Sequence, residues 1–230
     1  MVKGHDALTE IKNVLPLPSA VTVQMSEAWM PVHSQEMVNL KAVAITLDAE
    51  ATLLARQGDT NGALAVAFDA LRFSEAIQCN GVLIDYLVGS ACELMAVRQM
   101  TNLLSGLDLE ACQQARTRLE ACESRHDSLV DLLQREREWS WKTYGVLRRI
   151  EMMVQARSLR PGKELEFLFP ESGEEYRGRV SETRLAILHF AARAFELDRH
   201  TKPRGVNELV PNYLSIAPTN LVTGKIFALP

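Results

Sequence analysis

Apolar residues recur every three to four positions through most of Ser34 to Leu159 and again from about Val180 to Asp198. Only an α-helix with one buried stripe places that spacing on a single face. The interruptions are short: Gly58-Asp59-Thr60, Asn80-Gly81, and Gly106 to Asp108. Helices joined by turns this short must run antiparallel to their neighbours. The pattern therefore predicts an all-α fold of antiparallel helix hairpins stacked into a bundle or short solenoid, closed by an extended C-terminal tail.

Four segments follow from the punctuation. Residues 1–33 carry Pro16, Pro18 and Pro31 with no sustained period and read as an irregular N-terminal arm. Residues 34–160 form the hairpin body. Its first helix is capped by Ser34, with Leu40, Val43, Leu47, Ala51 and Leu54 inside, and ends at Gly58. Asp59 or Thr60 caps the second, which turns Leu64, Ala67, Phe68 and Leu71 inward. The third carries a stripe of Leu83, Ile84, Leu87, Val88, Ala91, Leu94 and Met95, with Gly89-Ser90 admitting a close neighbour, and reads as the central helix. Asp108 caps a shorter helix, and Asp127 opens the longest pattern, in which Gly145 offers a bend. Residues 161–179, mixing aromatics with a solvated run of glutamates, read as a connecting loop. Residues 180–230 read as a last helix burying Leu185, Leu188, Ala192 and Phe195, followed by a tail docked through Leu209, Tyr213, Leu214 and Ile216.

Composition excludes several function classes. Lys and Arg total 25 against 29 Asp and Glu, so the chain lacks the cationic field that phosphate backbones require, and no nucleic-acid partner is expected. No window approaches the ~20 continuous apolar residues of a membrane span. The N-terminus has no cationic start followed by an apolar segment, which makes the cytoplasm the default compartment. A soluble part of an anchored parent, periplasmic or envelope-associated, would read the same way. Cys79, Cys92, Cys112 and Cys122 contain no CxxC pair and read as buried thiols, with a disulfide between neighbouring helices as the alternative in an oxidising compartment. His5, His33, His126, His189 and His200 form no HExxH pair, so neither a metal nor a cofactor is expected. No GxSxG elbow, P-loop or GxGxxG appears, and no catalytic residue is assigned.

Two resemblances add to this reading. Gly58-Asp59-Thr60-Asn61-Gly62-Ala63-Leu64, with Ala70-Leu71 following, resembles the turn and second helix of a tetratricopeptide repeat, which implies a close hairpin; a single unit matches. The C-terminal order is Leu185 to Asp198, Pro203, Glu208-Leu209, Pro211-Asn-Tyr-Leu214, Pro218 and Thr223-Gly-Lys225. It resembles uncharacterised bacterial helical proteins whose tails are similar to those of type II secretion pseudopilins. That likeness implies a docked tail and a place near the cell envelope. Pseudopilin tails hold calcium with acidic groups, but Asn220 stands where a carboxylate would serve, so no calcium site is carried over.

The expected function is accordingly a non-catalytic helical interaction or scaffold protein with a protein partner. Its candidate surface is Arg137, Trp139, Trp141, Tyr144 and Arg148, because Trp, Tyr and Arg dominate binding hot spots. The alternative is a small-ligand-binding protein or enzyme with an inter-helix pocket using Glu136, which falls on an apolar stripe, or His189.

Overall fold

The computed structural model describes the backbone of residues 2–156 and 170–229 and the side chains of residues 8–145 and 173–229. Among these residues the chain forms α1 (Val2–Val14), α2 (Trp29–Arg56), α3 (Thr60–Gln78), α4 (Leu83–Leu103), α5 (Leu109–Arg125), α6 (Leu129–Ala156) and α7 (Pro170–Arg199). The described residues contain no strand; one isolated bridge, Thr219 with Ile226, closes a turn in the tail. The fold is all-α. No helix among the described residues is long and apolar enough to cross a membrane.

The turn chemistry sets the helix ends. Gly58, at φ 85°, occupies the left-handed region that a side chain would disfavour. Immediately after it, Asp59 accepts a hydrogen bond from the Gly62 N–H at 2.8 Å and caps α3. Asp108 does the same for α5 by accepting from the Ala111 N–H at 2.8 Å. α2, α3 and α4 pack as successive hairpins; α4 also contacts α6 and α7, while α5 lies on α7 and α3. A Cβ placed on Gly89 would stand 2.3 Å from Cγ of Gln78, so this glycine is what lets α4 approach α3 so closely. Leu47, Leu71, Met100, Leu119, Leu188 and Phe190 are completely buried at the centre. Trp29, Val82 and Trp139 form a second, smaller core.

Several expectations are corrected. The 1–33 segment is not irregular throughout, because α1 packs Leu8 and Ile11 on the core and Lys12 reaches Glu50 at 2.5 Å. α2 starts a turn ahead of Ser34, with Ala28 at the N-cap and no side-chain cap bond. Pro31 fits there because a first-turn N–H has no helical partner to lose. Within the supposed 161–179 loop, residues 161–169 lie outside the described residues, and from Pro170 onward the chain is helical. The bend expected at Gly145 is present, since this residue leaves helical geometry at φ 74° and ψ −159° and kinks α6.

The α4 stripe is the most instructive correction. Leu87 is partly exposed, and Leu83, Ile84, Val88, Ala91, Leu94 and Met95 are only half-buried. The deeply buried face is instead Asp85, Tyr86, Gly89, Ser90, Cys92, Glu93, Ala96, Val97 and Met100. α4 is central, as its pattern implies, and a helix covered on several sides can turn a polar face inward when its neighbours supply partners. The tail docks through Leu209, Tyr213 and Leu214, but Ile216 is 75% exposed. Leu185 and Phe195 are likewise half-buried rather than buried.

Candidate functional site

Four helices converge on Glu93, whose side chain is fully buried. From α7, Arg179 Nη1 donates to Oε1 at 2.9 Å and Oε2 at 3.0 Å, and Thr183 donates to Oε1 at 3.1 Å. From α3, Gln78 donates to Oε2 at 3.3 Å. At the end of α5, His126 Nε2 lies 3.2 Å from Oε2 and 3.3 Å from Cys122 Sγ. Burial alone would raise the Glu93 pKa, but the His126 hydrogen bond and the Arg179 charge outweigh it and hold the carboxyl down at about 2. Arg179, 2% exposed, also donates to the Tyr86 hydroxyl at 3.2 Å and stacks over the Tyr86 and Tyr176 rings. Its Nη2 and the Oε1 of Gln78 are buried with no hydrogen-bond partner among the described residues.

Cys122 and His126 pair a thiol with an imidazole, the parts of a nucleophile and its base, yet the surroundings oppose that chemistry. Burial, the Glu93 and Glu75 charges and a hydrogen bond to Glu75 all push the thiol pKa up. A nucleophilic cysteine needs the opposite, an exposed and electropositive setting.

The outer side of this network opens into a cleft of about 480 Å³ between the 15–19 segment, the second half of α3 and the last turns of α5. Arg72, Arg118 and Arg125 line it, with Cys122 and His126 at its inner wall. Arg125 pairs with Glu75 at 2.9 Å and Arg72 with Asp69 at 3.3 Å. Arg118 has no hydrogen bond or ion pair within the described residues. Its pKa is lowered first by burial and then by Arg72 and Arg125, with Glu75 acting the other way.

A second cleft of about 590 Å³ lies where the 19–28 segment crosses α2 and α3. At its wall the His33 ring stacks on Trp29 at 4.2 Å and bridges two carboxylates, Asp85 at 2.6 Å and Glu36 at 3.2 Å. Asp85 also accepts from the Val82 N–H at 2.8 Å, which ties the start of α4 to α2.

The residues singled out from sequence are scattered around these features. Trp139 is 3% exposed, packs on Trp29 and donates from Nε1 to the Gln24 carbonyl at 3.0 Å; it anchors the crossing segment instead of presenting a surface. Arg137 lies over the Trp141 ring at 4.9 Å, and Tyr144 is 43% exposed with its edge to Trp139. The Arg148 side chain lies outside the described residues. Glu136 accepts the Leu83 N–H at 2.9 Å, capping α4 from α6, and burial pushes its carboxyl pKa up. His189 is half-buried on α7, its pKa lowered by burial against the charge of Glu182. Neither Glu136 nor His189 lines either cleft.

Sequence reasoning missed Glu93, Arg179, Cys122 and His126 as a group. The legible signal was the four-residue step from Cys122 to His126, which puts both on one face of a helix end. Cys79, read as a buried thiol, is exposed, whereas Cys92, Cys112 and Cys122 are buried. The chain matches no protein-family model, no curated protein and no solved structure.

Proposed function

We propose that the chain is a non-catalytic binding protein whose α3–α5 cleft takes a small anion, a carboxylate or a phosphate ester. The observation that carries this reading is Arg118, a guanidinium half-buried between two other arginines with no ionic partner of its own. An anion seated there relieves the mutual repulsion and gains charge-assisted hydrogen bonds, which arginine's planar fork supplies in pairs. The cleft volume suits a small molecule. The test is thermal stabilisation by inorganic phosphate and by succinate against chloride at matched ionic strength. A saturable rise in melting temperature is expected, with affinity falling about tenfold or more in Arg118→Ala, in line with one charge-assisted hydrogen bond. No saturable rise, or an Arg118→Ala variant that responds like the wild type, refutes the reading.

A second reading is an interaction scaffold that docks a protein partner on α6. Arg137 stacked over Trp141 beside the exposed Tyr144 favours it, since such groups concentrate binding energy. The pseudopilin-like order of the tail is what favours placing such a scaffold near the cell envelope. Its test is capture from host extract, lost with Trp141→Ala and kept with Lys142→Ala.

A further inference from the structure

The meeting of Glu93, Cys122 and His126 is more than a satisfied polar core. One carboxylate oxygen of Glu93, the Cys122 Sγ and one imidazole nitrogen of His126 all lie within 4.8 Å of one another. A single imidazole nitrogen faces both other groups, at 3.2 Å and 3.3 Å, yet it has one proton or one lone pair to offer. Around a tetrahedral ion with Zn–N and Zn–O near 2.1 Å and Zn–S near 2.3 Å, neighbouring ligand atoms stand roughly 3.3–3.6 Å apart. The two separations from His126 lie within a few tenths of an ångström of that geometry, and the carboxylate and thiol stand within 4.8 Å of each other.

The surroundings support the same conclusion. The thiol sits between Glu93 and Glu75, which disfavour a lone thiolate, whereas a divalent cation reverses the sign of that field. The Cys122 thiolate and the Glu93 carboxylate together match the two positive charges of the ion, while Glu75 stays paired with Arg125. Arg179 and Thr183 already hold the Glu93 carboxylate in place, as outer groups orient the ligands of metal sites. Gln78, 7% exposed and bonded to the same Oε2, keeps an amide oxygen without a partner, an acceptor for water on the ion. α5 packs on α7 and α3, so a shared ion would add a direct tie between α4 and α5.

We propose that Glu93, Cys122 and His126 bind one Zn2+ per chain, with the fourth coordination position facing the cleft that Cys122 and His126 line. On binding, the S–H bond of Cys122 breaks, an S–Zn bond forms and the proton leaves to solvent. The sulfur, nitrogen and oxygen donor set selects Zn2+ over Mg2+ or Ca2+, which prefer oxygen alone.

The test is titration of chelator-stripped full-length protein with Co2+ as a spectroscopic stand-in. Saturation at one Co2+ per chain is expected, with a thiolate-to-cobalt charge-transfer band that Zn2+ abolishes and with release of a proton. Cys122→Ser should lose the band. Thr183→Val, which touches no ligand atom of the ion, should weaken Co2+ affinity by about 10–100-fold with an unchanged circular dichroism spectrum. Arg118→Ala should take up Co2+ normally, so failure of the anion reading and failure of the metal site are separable. Absence of a saturable Co2+ signal in the wild type, or a charge-transfer band that persists in Cys122→Ser, overturns the proposal.

Discussion

Replacing Arg179 with methionine should destabilise the metal-free protein severely, and by an amount that depends on pH. Arg179 is 2% exposed and is the only cation of fixed charge bonded to Glu93 among the described residues. Methionine retains much of the volume but leaves Glu93 buried with Thr183, Gln78 and His126 alone. Removing one partner of a buried pair costs about 3–5 kcal/mol, because the remaining charge stays desolvated. For a chain of 230 residues, each kcal/mol moves the melting temperature by about 2–4 °C. A fall of roughly 6–20 °C is therefore expected.

The pH dependence distinguishes lost charge pairing from lost packing. In the wild type the Glu93 pKa is depressed from 4.5 to about 2, so its contribution is full above 4.5 and is lost as the pH falls towards about 2. That shift corresponds to about 3 kcal/mol. In Arg179→Met, burial is no longer countered by the guanidinium, so the folded-state pKa of Glu93 rises. A raised pKa reverses the dependence: the carboxyl protonates on acidification, and the penalty of burying its charge disappears. The stability gap between the two proteins should narrow as the pH falls through the variant's raised pKa. Urea denaturation followed by circular dichroism across that range reads the gap directly. A gap below about 1 kcal/mol at neutral pH, or one independent of pH, refutes the account of Glu93 as a charge held by Arg179.

Gly89→Ala should cost about 1–3 kcal/mol, because its Cβ would fall 2.3 Å from Gln78 Cγ and 3.1 Å from the Ser74 carbonyl oxygen; thermal melting measures it. Leu209→Ala, at a fully buried position, should cost about 2–5 kcal/mol in urea denaturation, whereas Ile216→Ala at 75% exposure should stay within about 0.5 kcal/mol. Glu136→Gln should be neutral or stabilising at neutral pH, since glutamine still accepts the Leu83 N–H without the buried charge. Because burial raises the folded-state pKa of Glu136, the wild type loses stability as the pH rises through that value, and the variant's flatter pH–stability curve checks it.

How much was legible in the sequence differs by element. Asp59 and Asp108 mark helix starts because capping is a local interaction between a side chain and an N–H three residues on. Leu64, Ala67, Leu71, Ala115 and Leu119 are buried as their spacing implies, since each lies on a helix with one covered face. The rule fails for α4, where apolar residues occupy the flank and Asp85 and Glu93 the centre. What decides that orientation is the identity of their partners: His33 lies far upstream in sequence and Arg179 far downstream. Periodicity carries no information about partners on other helices. α1 was obscured by a prolyl segment that belongs to the crossing strap rather than to the helix before it.

The buried pair also explains how α7 finds its position. A salt bridge of this kind gives little net stability over a well-packed apolar pair, so its consequence here is geometric. Arg179 and Thr183 stand one helical turn apart on α7 and meet the same oxygen of Glu93. Sliding α7 along α4 by one turn, about 5.4 Å, would still bring apolar residues into contact but would separate the carboxylate from at least one of its donors. The alanine-rich stretch of α7, with Ala186, Ala191, Ala192 and Ala194 buried, offers little to discriminate between such registers by shape. The polar network supplies that discrimination, because a slipped arrangement leaves a charge in the interior without partners. The same alignment sets Glu93 opposite Cys122 and His126, so the groups that fix the register also build the proposed ion site.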